Sequence, residues 1–282
     1  MATELNRERL TITLREDILN ELDGMVDGIK IRNRSHAIEM VLSKALSGRK
    51  VKKAFILAGG KGTRMRPLTY EIPKSMIPLK GKPLVQHIME LCRKYDVRDI
   101  ILSVGYLGDK IKQHFGDGSN LGIKISYVEE REELGTAGPL NLAKEMLDGP
   151  FLMFNGDVLC TLDIPDFIRF HEEKNAVATI ALTQVKDTSS FGVVKMKGDR
   201  IVEFIEKPTA SEDSKLINAG VYLLEPEIFK YIPKGRASIE RDVFTKLAKE
   251  GKLYGYHFEG EWLDTGTPEA YEHAIKNWKG ID

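Results

Sequence analysis

The sequence has little of what marks a secreted, zinc-binding or membrane-spanning protein. Only two of its 282 residues are cysteines, Cys92 and Cys160, and their unrelated apolar surroundings exclude a disulfide framework or a cysteine zinc motif. The six histidines are scattered, no apolar run is long enough for a bilayer, and the first residues lack the basic-then-apolar pattern of a signal peptide. We therefore expect a soluble, cytoplasmic protein.

The sequence also lacks an excess of charge of either sign. Lysine and arginine together number 42, and aspartate and glutamate together also number 42. A net charge of zero excludes a general electrostatic attraction to nucleic acids or anionic membranes, so such a partner would have to bind a local patch. The hydrophobic fraction of 42% is typical of a globular protein, and the length allows one large domain with a small appendage.

The first 48 residues have the pattern of a small dimerising module. Apolar and polar residues alternate over 8–14, which predicts a strand. Two amphipathic helices follow, the first beginning near Arg15 and the second near Asn33 or Ser35, either of which is suited to be its N-cap. A lone strand leaves backbone groups unpaired, and so short a segment forms only a marginal core. We therefore expect a homodimer, or a higher oligomer, through pairing of this strand with its copy.

The stretches RLTITLREDILNELDGM and NRSHAIEMVLSKAL resemble the ribbon-helix-helix family of DNA-binding proteins. The resemblance implies that the paired strands enter the major groove and that the second helix begins at a phosphate. It assigns base contacts to Arg9, Thr11 and Thr13, and phosphate contacts to Asn33 and Ser35. Two interpretations stay open, DNA binding and dimerisation alone, because the first helix is acidic and the outward strand positions carry only one long hydrogen-bonding side chain.

From residue 51 onward the pattern changes to that of an α/β domain, which we expect to span 51–282. Apolar runs predict strands at 54–60, 99–106, 122–130, 149–157 and 176–185. Between the first several of these, helices are predicted near 84–95, 109–115, 136–147 and 164–174. Alternating strands and helices favour a Rossmann-like mixed, mostly parallel sheet flanked by helices.

A glycine-rich loop, GGKGTRMRPLT, follows the first predicted strand of this domain. It is not a dinucleotide-binding fingerprint, since Met65 stands where a third glycine is required, and it is not a P-loop, which ends in Gly-Lys followed by Ser or Thr. Glycines allow backbone N–H groups to approach a phosphate closely, and Arg64, Arg66 and Lys74 add cations nearby. The loop therefore predicts a site for a polyanion.

This loop, followed by PKSMIPLKGKPL, resembles the opening signature of the sugar-1-phosphate nucleotidyltransferases, also called NDP-sugar pyrophosphorylases. The resemblance covers 51–279 and continues, in order, with ELGTAG, FNGD, EKP, NAG and WLDTG. It implies the nucleotide-diphospho-sugar transferase fold and a Mg²⁺-dependent reaction of a nucleoside triphosphate with a sugar-1-phosphate. The attacking phosphate is mostly ionised at neutral pH, so the chemistry requires cations around the phosphates rather than a general base.

The resemblance also assigns roles to individual residues. Asp157 and Asp264 are the expected metal ligands, Arg64 the contact to the β- and γ-phosphates, Lys74 the contact to the reacting phosphates, and Lys207 the contact to the sugar phosphate. The expected catalytic residues are therefore Arg64, Lys74, Asp157 and Lys207. The expected nucleotide-binding residues are Leu57, Gly59, Gly60, Gly62, Thr63, Gly105 and Gly135. The expected sugar-binding residues are Gly156, Glu206, Asn218 and Gly220.

The choice of base and sugar rests on finer similarities. LGTAGPLNLAKEML, NGDVL and WLDTGTPEAY are more similar to mannose- and heptose-1-phosphate guanylyltransferases than to thymidylyltransferases, which implies GTP and mannose-1-phosphate. The alternatives are glucose-1-phosphate with dTTP or UTP, a DNA-binding regulator that senses nucleotide-sugars, and an enzyme that also regulates genes. The presence of every expected catalytic and metal-binding side chain favours catalysis, because a pure sensor could lose them.

Overall fold

The computed structural model of the protein describes four stretches of the chain: 11–28, 31–47, 51–208 and 214–281. The chain divides into two units, residues 1–50 and 51–282. In the part of the chain that the structure describes, no helix combines the length and apolarity needed to cross a membrane.

The N-terminal unit contains two helices, α1 (Glu16–Gly24) and α2 (Arg34–Ser47). The Asn33 side chain accepts a hydrogen bond from the backbone N–H of His36 at 2.9 Å, so Asn33 is the N-cap of α2. Residues 11–14 form no strand in the single chain, as expected of a segment whose backbone has no partner strand to pair with. The remainder of the predicted strand, including Arg9, lies outside the described residues.

The described side chains of the two N-terminal helices bury little apolar surface. An ion pair between Asp23 and Arg34 connects α1 to α2, with Arg34 Nε donating to Asp23 Oδ1 at 2.7 Å. Among the side chains of this unit that the structure describes, Leu22 and Ala37 are the buried hydrophobic ones. Six large hydrophobic side chains are exposed within the described part of this unit: Ile12, Ile18, Met25, Met40, Val41 and Leu42.

The second unit is an α/β domain. Its described strands are β1 (Lys53–Leu57), β2 (Pro78–Leu79), β3 (Lys82–Pro83), β4 (Asp99–Val104), β5 (Lys124–Glu129), β6 (Phe151–Asn155), β7 (Val158–Cys160), β8 (Ala178–Gln184), β9 (Gly192–Lys197), β10 (Arg200–Glu206), β11 (Leu216–Leu224), β12 (Leu253–His257) and β13 (Trp262–Asp264). Its described α-helices are α3 (Leu84–Lys94), α4 (Gly108–Phe115), α5 (Gly138–Leu142), α6 (Ile164–Lys174), α7 (Thr245–Lys249) and α8 (Pro268–Asn277). A π-helical segment, Ile239–Phe244, precedes α7.

Nine strands form one mixed sheet in the order β5-β4-β1-β6-β11-β8-β12-β10-β9. The first four of these strands are mutually parallel. β11 runs antiparallel to both β6 and β8, β12 is parallel to β8, and β10 is antiparallel to β12 and β9. Two short pairs, β2 with β3 and β7 with β13, lie apart from this sheet. The prediction of a mixed α/β sheet is confirmed.

Helices cover both faces of the sheet because the strands are apolar on both sides. Along β1, Ala54 and Ile56 belong to one core cluster and Phe55 to another, as the two-residue period of a strand requires. The first cluster includes side chains from α3, α4 and α6, and the second includes side chains from α5 and α7. Each predicted strand and helix of this domain is found, but the helix predicted over 136–147 is divided into α5 and a 3-10 turn, Lys144–Met146.

Candidate active site

Two adjoining cavities open at the carboxyl ends of the parallel strands. The strands end level with one another, since Leu57 of β1 pairs with Ser103 of β4 and with Asn155 of β6. One cavity, of about 450 Å³, is lined by the glycine-rich loop and is called here the glycine cavity. The other, of about 650 Å³, is lined mainly by polar side chains and is called the polar cavity. Six residues line both: Arg64, Gly135, Thr136, Asn155, Asp157 and Arg236.

The glycine cavity brings together most of the residues predicted to bind the nucleotide. Those that line it are Leu57, Gly59, Gly60, Gly62, Thr63 and Gly135. Gly105 does not line it; a Cβ at Gly105 would stand 3.0 Å from the carbonyl oxygen of Gly59, so this glycine packs behind the loop. Gly156, predicted to bind the sugar, lines the glycine cavity instead of the polar one.

Close backbone contacts explain why glycine stands at several of these positions. A Cβ at Gly156 would lie 2.1 Å from the carbonyl oxygen of Leu57, and one at Gly135 would lie 2.4 Å from that of Ala237. Gly62 has a φ of 60°, a left-handed conformation that favours glycine, and its carbonyl accepts a hydrogen bond from Thr69 Oγ1 at 2.8 Å. The wall of this cavity is therefore largely backbone.

The polar cavity contains the other predicted sugar-binding side chains, Glu206 and Asn218, together with Lys207 and Gly220. Asn218 is fixed at both ends of its amide: Nδ2 donates to the Tyr222 hydroxyl at 2.9 Å, and Oδ1 accepts from the backbone N–H of Gly220 at 2.8 Å. Burial raises the pKa of Glu206, and the nearby negative charge of Glu240 raises it further. The floor of this cavity is thus a set of hydrogen-bonding groups that includes one carboxylate whose ionised form is disfavoured by burial.

At the junction of the two cavities, two carboxylates and two cations converge. Asp157 lies in the turn between β6 and β7, and Asp264 ends β13, where it pairs with Val158. The Lys74 ammonium forms an ion pair with Asp157. Burial raises the pKa of Asp264, and the charge of Asp157 raises it further, while Lys74 and Arg64 lower it. The four residues expected from the metal and phosphate assignments therefore meet at one point.

The backbone holds the two carboxylates in place. Thr265 donates both its backbone N–H, at 3.0 Å, and its hydroxyl, at 2.7 Å, to the carbonyl oxygen of Asp157. The backbone N–H of Gly266 donates to Asp264 Oδ1 at 3.1 Å. Trp262, at the start of β13, donates its indole N–H to the carbonyl oxygen of Ala219 at 2.9 Å. These contacts make the position of Asp264 depend on β7, β11 and β13 together.

Such a pair of carboxylates fits a divalent cation. Among the described residues no group of three or more His, Cys, Asp or Glu side chains is placed to hold a metal, so the protein offers Asp157 and Asp264 rather than a complete cage. Carboxylate oxygens are the ligands that Mg²⁺ prefers, and Mg²⁺ is commonly bound by one or two carboxylates together with substrate phosphates and water. Burial and the charge of Asp157 raise the pKa of Asp264, and a bound cation would favour its ionised form again.

Several residues of the site were not found by sequence reasoning. Arg236 is exposed and lines both cavities, on a segment with no motif of its own. Glu240 is buried and accepts hydrogen bonds from Thr136 Oγ1 at 2.6 Å and Ser238 Oγ at 2.7 Å. Glu130 lines the glycine cavity immediately after β5. Only Glu130 carried a usable signal, since ligands bind at the carboxyl ends of parallel strands.

The predicted DNA-contacting residues belong to the N-terminal unit. Thr11, Thr13, Asn33 and Ser35 are exposed there, and Arg9 lies outside the described residues. Two arginines near them are engaged within the unit, Arg34 with Asp23 and Arg15 with Asp17, the latter at 3.0 Å.

Comparisons with known proteins agree with the geometry of the second unit. The chain is 41% identical over 225 residues to the mannose-1-phosphate guanylyltransferase catalytic subunit beta of Danio rerio, covering 78% of this chain and 62% of that protein. It thus spans about three fifths of that relative's length. A crystal structure of a candidate glucose-1-phosphate thymidylyltransferase from Bacillus anthracis, solved with sucrose, matches with a TM-score of 0.75 at 27% identity, over 82% of this chain and 96% of that one.

A second solved structure is HddC from Yersinia pseudotuberculosis complexed with GMP-PN. It matches with a TM-score of 0.71 at 29% identity and covers 81% of this chain and all of that one. The sequence profile of the family described as nucleotidyl transferase matches residues 53–279. Since that match includes both cavities and most of the chain, the protein belongs to the nucleotidyl transferase family.

Proposed function

We infer that the chain transfers a guanylyl group from GTP to mannose-1-phosphate, giving GDP-mannose and pyrophosphate. The observation that carries this proposal is the junction of the two cavities, where Arg64, Lys74, Asp157 and Asp264 converge. A reaction between two polyanions needs two adjoining pockets with cations between them. The name of the Danio rerio relative supports GTP and mannose-1-phosphate, and the complex of HddC with GMP-PN supports a guanine nucleotide.

In this proposal the nucleotide occupies the glycine cavity and the sugar-1-phosphate the polar cavity. The backbone around Gly59, Gly60 and Gly62 receives the triphosphate, since close approach of N–H groups stabilises phosphate oxygens. Arg64 stabilises the β- and γ-phosphates as they leave. Lys74, with only 14% of its side chain exposed, stabilises the charge that develops at the α-phosphate, where a cation held in place acts most strongly.

The polar cavity then orients the attacking sugar phosphate. Lys207 binds the phosphate, Glu206 accepts hydrogen bonds from sugar hydroxyls, and Asn218 offers a rigidly held amide beside Gly220. The attacking phosphate oxygen is already ionised near neutral pH, so no side chain has to remove a proton. Holding the two substrates with their reacting atoms in contact supplies much of the rate enhancement.

Asp157 and Asp264 are proposed to be the residues that would hold Mg²⁺ at the junction of the two cavities. The ion would supply a Lewis acid that neutralises charge on the phosphates. The role of the protein is to present one carboxylate from the turn just before β7 and the other from the end of β13, and to balance their charge with Lys74.

The test is a pyrophosphate-release assay with magnesium, in which GTP, dTTP, UTP, CTP and ATP are each combined with mannose-, glucose- and N-acetylglucosamine-1-phosphate. We expect the highest kcat/KM for GTP with mannose-1-phosphate and complete loss of turnover in EDTA. A clear preference for glucose-1-phosphate with dTTP or UTP would replace the proposed substrates. No turnover with any pair, together with tight binding of a nucleotide-sugar, would support a sensor instead of an enzyme.

For the N-terminal unit we propose a homodimerising ribbon-helix-helix module. The support is its exposed apolar surface, including Ile12, Met40 and Leu42, and the segment 11–14, which forms no strand in the single chain; a second copy would cover both. Multi-angle light scattering of the full chain and of a variant lacking residues 1–48 tests this proposal. We expect the truncated variant to have a lower mass per particle, and an unchanged mass would refute the proposal.

DNA binding by this module is the alternative outcome. The exposed Thr11, Thr13, Asn33 and Ser35 leave it open, whereas the engagement of Arg15 and Arg34 by acidic neighbours favours dimerisation alone. A mobility-shift experiment at low and high salt with DNA from the gene's own promoter separates the two, because phosphate contacts weaken steeply with salt. A shift lost at high salt and lost on truncation would establish DNA binding.

A further inference from the structure

A small hydrophobic cluster, called here the junction cluster, is built from sequence neighbours of the four charged residues at the junction of the cavities. The junction cluster buries Met65, Ile77 and Leu159, and Leu263 packs against it. In the chain these four residues stand within three positions of, respectively, Arg64, Lys74, Asp157 and Asp264. Because close-packed interiors transmit strain, a change in the packing of this cluster reaches the backbone of all four charged residues.

The largest side chain of the junction cluster is Trp278, from the segment that follows α8. This residue is 1% exposed and lines neither of the two cavities. Its indole N–H donates to His87 Nδ1 at 3.3 Å, with the two rings perpendicular and their centroids 6.0 Å apart. A buried tryptophan covers a large apolar area and places its N–H on a partner, so this contact sets both the depth and the orientation of the ring.

His87 connects this tryptophan to the segment that follows Lys74. It belongs to α3 and is buried, and its Nε2 lies 3.0 Å from the carbonyl oxygen of Leu79 in β2. A neutral imidazole has one donor and one acceptor, so Nε2–H donates to Leu79 while Nδ1 accepts from Trp278. Burial lowers the pKa of His87, against a smaller opposing effect of the Leu79 hydrogen bond. The ring is therefore kept in the neutral form that this arrangement requires.

Helix α8 connects Asp264 to the same segment. The helix begins four residues after Asp264, and Tyr271 within it donates its hydroxyl to the carbonyl oxygen of Pro78. After the helix, the carbonyl oxygen of Lys279 accepts a hydrogen bond from Lys80 Nζ at 3.4 Å. α8 thus joins the end of β13, which carries one carboxylate, to the β2–β3 hairpin, which follows the lysine paired with the other carboxylate.

We propose that Trp278 is a positioning residue: its hydrogen bond to His87 holds the charged groups of the junction at the separation that the reaction needs. The inference rests on the proposed function, because it takes the junction to be the place of guanylyl transfer. Trp278 acts through α8 and the β2–β3 hairpin and does not contact the substrates. A displacement of about 1 Å at the reacting groups lowers a rate by about 100-fold, so loss of this contact reduces kcat. The walls of the two cavities are unchanged, so both KM values stay the same.

The first test compares Trp278→Phe with Phe167→Leu. Trp278→Phe removes the indole N–H and leaves His87 Nδ1 without its donor. Phe167 is equally buried, but it belongs to the core cluster that contains side chains of α6 and lines neither cavity. Its variant therefore controls for the loss of core packing alone.

Steady-state kinetics at a temperature where all variants are folded measures the result. We expect Trp278→Phe to lower kcat by about 10- to 100-fold with both KM values unchanged, and Phe167→Leu to keep the kcat of the unaltered enzyme. Equal values of kcat for the two variants would overturn the inference, because the role of Trp278 would then be that of any core residue.

The second test keeps Trp278 and changes its partner, so that it removes no large side chain from the core if Trp278→Phe fails to fold. In His87→Asn the amide oxygen takes the place of Nδ1 and still accepts from the indole. In His87→Gln the amide nitrogen takes the place of Nε2 and preserves the bond to Leu79 instead. We expect kcat of His87→Asn to exceed that of His87→Gln by about threefold to tenfold. The reverse order would overturn the inference.

A measurement without turnover separates this inference from the proposed function. The chain has two tryptophans, and the second, Trp262, begins β13 and lines the polar cavity. In the full chain labelled with 5-fluorotryptophan, ¹⁹F NMR gives one resonance for each, and Trp278→Phe assigns them. We expect His87→Gln to shift both resonances and Phe167→Leu to shift neither.

A shift of the Trp278 resonance alone would overturn the inference, because the contact would then not be transmitted to β13. If the unaltered enzyme has no turnover with any pair of substrates, the proposed function fails. The ¹⁹F comparison still decides in that case whether Trp278 positions β13.

Discussion

The two cavities of the site are built in different ways. The glycine cavity has a wall of backbone, with Gly135 and Gly156 packed so closely on neighbouring carbonyl oxygens that a Cβ would collide. The polar cavity has a floor of side chains, among them Glu206, Lys207 and Asn218. Backbone N–H groups suit phosphates, which every nucleotide carries, whereas oriented side chains suit a particular pattern of hydroxyl groups. We expect substitutions in the two cavities to have correspondingly different effects.

The largest effect is expected where the cavities meet. Asp157→Asn removes one of two proposed metal ligands and leaves Lys74 without its partner. A bound metal contributes several kcal/mol of transition-state stabilisation, so kcat should fall by about 10³-fold or more. Pyrophosphate release with saturating magnesium measures this loss, and Asp148→Asn, an exposed aspartate paired with Lys53, serves as the control. Activity retained in Asp157→Asn would remove this residue from the metal site.

A smaller effect, confined to one substrate, is expected from Lys207→Met in the polar cavity. The loss of a charged contact should raise KM for the sugar-1-phosphate by about 10- to 100-fold while KM for the nucleotide stays the same. Steady-state kinetics with each substrate varied in turn measures both constants. Lys197→Met, an exposed position at the far end of β9, should change neither. An equal rise of both KM values would contradict the assignment of the nucleotide and the sugar-1-phosphate to separate cavities.

In the glycine cavity we expect a steric effect on stability. Gly156→Ala places a Cβ 2.1 Å from the carbonyl oxygen of Leu57, so β1 and β6 must separate locally, which costs about 1–3 kcal/mol of unfolding free energy. Gly60→Ala is the matched control, since a Cβ there meets nothing within 4 Å. Urea denaturation of both variants measures the difference. If Gly60→Ala is destabilised as much as Gly156→Ala, close packing is not what requires glycine.

The smallest effect concerns the pH dependence of sugar binding. Burial, and then the charge of Glu240, raise the pKa of Glu206, so this carboxyl takes up its proton at a higher pH than an ordinary glutamate. Once protonated it is a poorer acceptor for sugar hydroxyls. KM for the sugar-1-phosphate should therefore rise, by about threefold to tenfold, as the pH is lowered through that raised pKa.

The substrate's own phosphate also titrates in the mildly acidic range, so this prediction requires a difference between variants. In Glu206→Gln, the pH dependence of KM should retain the part due to the substrate's phosphate and lose the part due to Glu206. The control is Glu203→Gln, because Glu203 is exposed on the same strand and pairs with Lys195. This variant should retain both parts of the pH dependence. Identical pH profiles for Glu206→Gln and the unaltered enzyme would show that Glu206 does not contact the sugar.

The sequence predicted best those strands, helices and caps that depend on residues close together in the chain. The strands β1, β4, β5, β6 and β8 were predicted because buried strands are continuous apolar runs, and the helices between them because their apolar residues follow the helical period. Asn33 was one of two expected caps and does cap α2. The antiparallel strands β9, β10 and β11 were not predicted, although β11 lies in the middle of the sheet. β11 pairs with β6 and β8, and both of these strands lie far from it in the sequence.

Of the residues in the site, those that stand in short sequence motifs were predicted and the others were not. Arg64, Lys74, Asp157 and Asp264 stand in four separate motifs, and the structure brings them to one junction. Gly105, expected at the nucleotide, lines neither cavity, and Gly156, expected at the sugar, lines the glycine cavity. The sequence does not reveal this, because the cavity that a backbone position borders depends on how the loops pack. Arg236 and Glu240 were missed altogether, since their segment has no motif of its own and is brought to the site by tertiary contacts, among them hydrogen bonds to Thr136.

By itself, the sequence determined that this chain has an α/β domain, a glycine-rich loop with cations beside it and the motifs of a nucleotidyl transferase. Those features follow from hydrophobic periodicity, glycine conformations and short motifs, which are all local. The tertiary structure alone decided that the two carboxylates face each other, that Arg236 lines both cavities and that Glu130 lies against the glycine loop. The physical reason is that such contacts join residues far apart in the chain, and their distances depend on how the strands pair and the helices pack.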